Sequence, residues 1–297
     1  MDVIWNGTTK AQKIMVAMKH SASASIDLTR ILLKYAWRIG IHLEEIYKTV
    51  GLDPSILENT EARISLEQFN AIWKEIALQA EDQNFGLHFG KTVYNFPRGH
   101  ILFSVMMNCP TVGDAIDKFF RYHSLMADVI QPQMNQQDDC AYFTWETIYP
   151  DLKLHRHHSE AVLSMLISIL RRLTENKINL VEVRFTHPQP KDITEHQRIF
   201  CAPLLFQQPK NELVIEQKHL SLPIFLANPE LLEILEQFAQ KLLDRLYSPD
   251  TWPNKVIRLI GKMLLRGEKP GIESIAHDLA ISTRHLQNRL KEEGTTY

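Results

Sequence analysis

GIESIAHDLAISTRHLQNRLKEEG, residues 271–294, divides into two short helical stretches around a turn. In the first, Ile272, Ile275, Ala276 and Leu279 recur at helical spacing and define one buried face. Ala276 is small enough to let a second helix approach closely. Ser282 stands where an N-cap belongs, its side-chain oxygen free to accept an orphan N–H of the next helix. In that second helix Leu286 and Leu290 face inward. Arg284, Gln287, Asn288 and Lys291, spaced i, i+3, i+4 and i+7, line the opposite stripe. Arg can fork onto guanine edges, Gln and Asn onto adenine, and Lys suits a phosphate, so the stripe has the make-up of a helix lying in a major groove. The competing reading is a solvated face on a helical hairpin. The turn carries Ala280 and Ile281 where Gly would adopt positive φ freely, and a non-Gly residue held there costs on the order of 1 kcal/mol.

Residues 274–294, SIAHDLAISTRHLQNRLKEEG, resemble the first helix-turn-helix of AraC/XylS-type transcription regulators. The resemblance implies Arg284, Gln287 and Asn288 as base readers, with Ser282 and Lys291 placed for the DNA backbone. Asn288 departs from the Arg frequent at that position, so its target base is not implied. The family carries a second helix-turn-helix further on. Here Tyr297 comes before it, and the expectation is either a fragment or a chain defective in binding DNA by itself.

Working outward, the 297 residues suffice for two domains or one large one with ample core. With 44% hydrophobic and 23% charged residues the composition is that of an ordinary soluble globular protein. Net charge is −2, but it is unevenly distributed. From Trp252 onward eight Lys and Arg face five Asp and Glu, net +3, leaving −5 for the rest. A basic appendage on an acidic body fits phosphate binding by one end. Cys109, Cys140 and Cys201 are scattered and lack C-x-x-C spacing, which argues against a disulfide framework or zinc site and for a reducing cytoplasm. No apolar run approaches a membrane span or a signal-sequence h-region.

Residues 1–24 carry little periodicity and predict a flexible tail. Leu28, Ile31, Leu32, Tyr35, Ala36 and Ile39 then form an amphipathic stripe closing at Gly40, and a shorter helix over Leu43–Val50 ends at Gly51. Ser65 with Gln68, and Thr111 with Asp114, are capping signals for the helices after them. Beyond Thr111, Ala115, Phe119, Tyr122 and Met126 point inward. CAYFTWET, residues 140–147, alternates with period two and reads as a strand, as does Leu180–Phe185 with Val181, Val183 and Phe185 on one face. Between them Ser159 is expected to cap a long apolar helix, Ala161–Leu173. A short helix near Ile193–Phe200 precedes two short strands around a turn at Pro209, Lys210 and Asn211. Asn228-Pro229-Glu230 starts another helix, with Leu231, Leu235, Phe238, Leu242 and Leu246 at three- and four-residue steps. That row either packs on the chain's own core or pairs with its copy in a dimer. SPDTWP, residues 248–253, reads as a linker, and a helix over Asn254–Leu265 with Val256, Ile260 and Leu264 inward supports the helix-turn-helix.

A second resemblance stands apart from the C-terminus. FGLHFG (85–90), NCPTVGDAIDKFFRYHSLM (108–126), VEVRFTHPQP (181–190) and FCAPLLFQQPKNELVI (200–215) followed by LSLPI occur in the order seen in the "arabinose-binding" N-terminal domain of AraC-type regulators. That is the sensor type of ornithine- and arginine-responsive members, and it spans roughly residues 25–245. It does not imply a sugar ligand, since effectors differ widely within the family. A cavity with a few polar anchors could draw on Arg98, His100, Tyr122, His123, Trp145 and Arg156. Arg156 or a neighbouring histidine would bind an anionic group.

The expectation is therefore an α+β chain. A mostly helical sensor with a small β-sheet occupies residues 25–247 and provides effector binding and dimerisation. A linker, 248–253, leads to a partial all-α helix-turn-helix region, 254–297. The expected function is a cytoplasmic transcription regulator, a homodimer whose partners are operator DNA, an unidentified small molecule and RNA polymerase, with no cofactor and no membrane. Two rivals stay open. One is a small-molecule-binding or interaction protein without DNA binding. The other is a metal-dependent enzyme using His155, His157, His158 and Glu160, although surface histidines at a strand-to-helix junction account for the same cluster.

Overall fold

Capping chemistry and apolar spacing set the first elements. The computed structural model describes residues 23–92, 100–128, 130–147, 155–246, 251–265 and 270–293. Helix α1 (Ile26–Arg38) starts at Ser25, whose Oγ accepts the Leu28 N–H, and α2 (Leu43–Val50) ends at Gly51 with φ +63°. Strands β1 (Ser23–Ser25) and β2 (Arg63–Ser65) form a small antiparallel pair. Ser23 and Ala24, at the end of the segment expected as a tail, are buried in this pair. Arg63 locks this pair to residues 124–128 by donating to the carbonyls of Ser23, Ser124 and Leu125. Ser65 caps α3 (Leu66–Gln79) through the Gln68 N–H, while the Gln68 side chain reaches the Gly51 carbonyl instead of closing the box.

FGLHFG forms α4 (Phe85–Thr92), and its glycines explain how it packs. A Cβ on Gly86 would collide with the His157 carbonyl oxygen, and one on Gly90 with that of Ala161. Two glycines four residues apart therefore let α4 lie directly on α7 (Arg156–Leu173), where Ser164 Oγ donates to the Leu87 carbonyl. Trp73 and Phe85, 5.5 Å apart, and Phe89, 5.4 Å from Trp73, fill the space behind. Helix α5 (Ile101–Asn108) and α6 (Val112–Tyr122) complete this half, α6 through a reciprocal Thr111–Asp114 cap.

The second half is a five-stranded sheet of order β3-β4-β7-β5-β6, antiparallel except for β5–β6. Its members are β3 (Ile130–Gln137), β4 (Cys140–Thr147), β5 (Leu180–Arg184), β6 (Leu204–Leu205) and β7 (Asn211–Glu216). The polar run of β3 gives little sequence signal. It is an edge strand that tolerates Pro132, and its two-residue turn, Asp138 and Asp139, has φ of +50° and +59°. In β5 a register shift between Leu180 and Glu182 breaks the expected face: Val183 and Phe185 are fully buried, whereas Val181 is 39% exposed. The two strands around Pro209 exist but do not pair with each other, because β5 lies between them and β6 joins it in parallel. The expected start of α7 at Ser159 is also corrected. The helix begins a turn earlier at Arg156, with His155 Nδ1 accepting the His157 N–H, and Ser159 faces Asn211 instead.

Helix α8 (Thr194–Phe200) covers α7, and α9 (Pro229–Leu246) opens on Asn228, whose Oδ1 accepts the Leu231 N–H at 3.0 Å. The row expected on α9 splits. Leu235, Leu242 and Leu246 pack on the core with Leu232 and buried Ala239, while Leu231, Ile234 and Phe238 are exposed. Helices α10 (Trp252–Leu265), α11 (Ile272–Asp278) and α12 (Thr283–Glu292) share a separate core of Val256, Met263, Ile275, Ala276, Leu286 and Leu290. Trp252 and Pro253 are the first turn of α10, so that end of the expected linker is helical. Ile260 packs partly buried against this core, and the Leu264 side chain lies outside the described residues.

Candidate functional site

Helix α12 is assembled from its cap outward. Ser282 Oγ accepts the His285 N–H at 3.1 Å, fixing the helix start. Leu286 and Leu290, at 0% and 1% exposure, fix its rotation against α10 and α11. With those two buried, Arg284, Gln287, Asn288 and Lys291 are all exposed, and none has a side-chain hydrogen bond or ion pair among the described residues. Arg289 is used differently: it lies over the Trp252 ring and pairs with Glu292 at 3.1 Å, bracing α12 on α10. The sharp turn before the helix has Ala280 at φ +55°, the left-handed conformation expected there of a Gly.

The residues named for an effector cavity are dispersed. Arg98 lies outside the described residues. His100 is a structural cap: Nδ1 accepts the Leu102 N–H, Nε2 meets the Leu125 carbonyl at 3.2 Å, and burial pushes its pKa down to about 4. His123 Nδ1 is 2.7 Å from the Phe120 carbonyl. The Trp145 ring lies 5.7 Å from that of Phe119, tilted by 31°. Tyr122 lines an open groove of about 700 Å³ between α6 and α9, its hydroxyl 3.4 Å from Glu236. Arg156 lines a separate cleft of about 340 Å³ between the end of α3 and the start of α7.

Beneath Arg156 lies a buried polar cluster. The earlier start of α7 turns His157, His158 and Glu160 into the interior, correcting the expectation of surface histidines. Glu160 is fully buried, with His157 Nδ1 at 3.0 Å, His196 Nε2 at 2.9 Å and Arg156 at 3.8 Å. Burial pushes this carboxyl up, but hydrogen bonds donated by His157 and His196, with the Arg156 charge, more than reverse it and hold it well below the usual carboxylate range. His158 points elsewhere, its ring 5.4 Å from Trp73, and burial pushes its pKa down to about 4. Among the described residues no group of three or more His, Cys, Asp and Glu is placed to hold a metal ion. His196, 36 residues from Glu160, is a partner that no local spacing could have indicated.

Comparison with known proteins identifies the family of the N-terminal part of the chain. Residues 40–224 match the family described as "Arabinose-binding domain of AraC transcription regulator, N-term". The chain is 24% identical over 266 residues to the ornithine utilization regulator of Pseudomonas aeruginosa, covering 90% of this chain and 78% of that protein. The crystal structure of the transcriptional regulator CdpR from Pseudomonas aeruginosa is similar at a TM-score of 0.50 and 18% identity, over 89% of this chain and 80% of that one. At that identity the likeness concerns the fold. No helix among the described residues is long and apolar enough to cross a membrane.

Proposed function

The chain belongs to the AraC transcription regulators with an arabinose-binding-type N-terminal domain, a family of regulators and not of enzymes, and from that premise we propose that it reads DNA with α12 under control of a small molecule bound by the N-terminal domain. One observation carries the proposal: four side chains suited to bases and phosphates emerge together from α12 while its two leucines are buried. Arg284, Gln287 and Asn288 meet base edges, and Ser282 and Lys291 meet the phosphate backbone. The net positive charge from Trp252 onward supports the same placement. The exposed row of Leu231, Ile234 and Phe238 on α9 is the surface through which two copies pair, so that ligand binding biases how two α12 helices meet neighbouring half-sites.

Selection of bound duplexes from a random pool, followed by fluorescence anisotropy at several salt concentrations, tests this reading. A recovered motif with affinity that falls as salt rises supports it. An unenriched pool, or binding insensitive to salt, overturns it. The relative named for ornithine utilisation makes ornithine the first effector to try, read as a rise in melting temperature.

A further inference from the structure

The cleft beside Arg156 has a composition that neither the fold nor the DNA-binding surface explains. Its walls come from two elements: Lys74, Ala77 and Leu78 of α3, followed by Ala80, and Arg156 and His157 at the start of α7. Lys74 is exposed and has no side-chain partner among the described residues. Arg156 donates one N–H to the Gln83 carbonyl at 2.6 Å and lies 3.8 Å from Glu160, which leaves part of its five-donor fork open. Leu78 is 71% exposed beside these cations, so the cleft offers an apolar wall next to positive charge.

The acids nearby already have partners. Glu160 is taken up by His157 and His196. Asp82, on the cleft wall, accepts the Asn84 N–H at 2.8 Å and faces His88 Nδ1 at 2.5 Å. Burial lowers the pKa of His155 at the cleft, and the positive surroundings of His157, Arg156 and Lys74 lower it further against the opposing pull of Glu160. Added positive charge is thus disfavoured there. The Asp82 carboxylate on the wall limits how much negative charge the cleft accepts, favouring a singly charged group over a doubly charged phosphate.

We infer that this cleft is the effector site and that the effector is a small carboxylic acid, its carboxylate held between Lys74 and Arg156 and its carbon chain laid on Ala77, Leu78 and Ala80. This rests on the reading that the N-terminal domain binds an effector. A planar carboxylate matches the Arg fork, Lys74 adds a second charge, and a volume of about 340 Å³ suits a molecule of modest size.

Calorimetric titration with one five-carbon skeleton in several forms tests the assignment: pentanoate and ornithine, which carry the carboxylate, and 1-pentanol and pentylamine, which do not. At least one acid should bind, and the alcohol and amine should bind at least tenfold more weakly, the size expected for losing a charge-assisted pair. Lys74→Gln, at an exposed position, should weaken the bound acid about tenfold while leaving the melting temperature of the free protein unchanged. Arg156→Lys should weaken it too, by removing the fork while keeping the charge. Binding of neither acid, equal binding of the alcohol or amine, or acid binding indifferent to Lys74→Gln would overturn the assignment. A melting-temperature screen of amino acids, fatty acids and sugars on the same preparations separates the failures: a compound that raises the melting temperature while neither five-carbon acid binds sinks the cleft alone, and no rise with any compound sinks the effector reading with it.

Discussion

Glu160, a fully buried carboxylate, and Ala280, an L-residue at positive φ, each carry a local cost that can be measured. Glu160 has a depressed pKa in the folded chain, so it stabilises the fold above its unfolded pKa, and that contribution is lost as pH falls below the usual carboxylate range. His100 and His158 act over a higher window. Their pKa values of about 4, against 6.5 when unfolded, mean that the unfolded chain binds protons first as pH drops from 6.5 to 4. Melting temperature should therefore fall through that interval and continue falling below it. In Glu160→Gln the lower limb should flatten while the upper one persists, and a variant with an unchanged acid limb would show the carboxylate to be irrelevant. At Ala280, the φ of +55° costs an L-residue on the order of 1 kcal/mol, so Ala280→Gly should slow amide exchange across residues 271–293. Faster exchange in that variant would mean the turn is not strained.

At the scale of elements, the crossing of α4 on α7 is an observed contact, and the exposed outer face of α9 is the surface proposed for pairing. Gly90→Ala inserts a methyl against the Ala161 carbonyl with no flexible side chain to yield, and should destabilise the N-terminal domain by roughly 3 kcal/mol in urea unfolding. A loss of a few tenths would show that the helices can separate freely. On α9, Ile234→Glu and Phe238→Glu replace exposed residues, so melting should change little, while sedimentation should shift from dimer to monomer. A monomeric parent, or a variant that still dimerises, removes α9 from the interface. These elements also show what could be read from sequence. The caps at Ser65, Thr111, Asn228 and Ser282 give local signals, and helices start at each of them. Three features gave no such signal: the polar edge strand β3, the bulge that turns Val181 outward, and the insertion of β5 between β6 and β7. Each depends on partners far away in the chain.

At the scale of the whole molecule, the described residues form two separate hydrophobic cores. The larger one runs through the N-terminal helices and the sheet, with Ala77 and Ala80 of the cleft packed against it, and the smaller one supports α12. The polar stripe of α12 was legible because its four residues lie within eight positions of one helix, where periodicity alone decides orientation. Of the residues that line the proposed cleft, the sequence singled out Arg156 and its neighbours His155 and His157. Lys74 and Asp82, more than seventy residues away, come beside Arg156 through the packing of α3 and α7. The central claim is that α12 separates base reading from phosphate contact, and anisotropy titrations of Arg284→Ala, Gln287→Ala and Lys291→Ala against a selected site and scrambled duplexes test it most directly. Arg284→Ala and Gln287→Ala should each cost about 1–3 kcal/mol on the selected site and little on scrambled DNA, whereas Lys291→Ala should weaken both alike and reduce the salt slope by about 1. Equal losses on selected and scrambled duplexes for all three variants would contradict it.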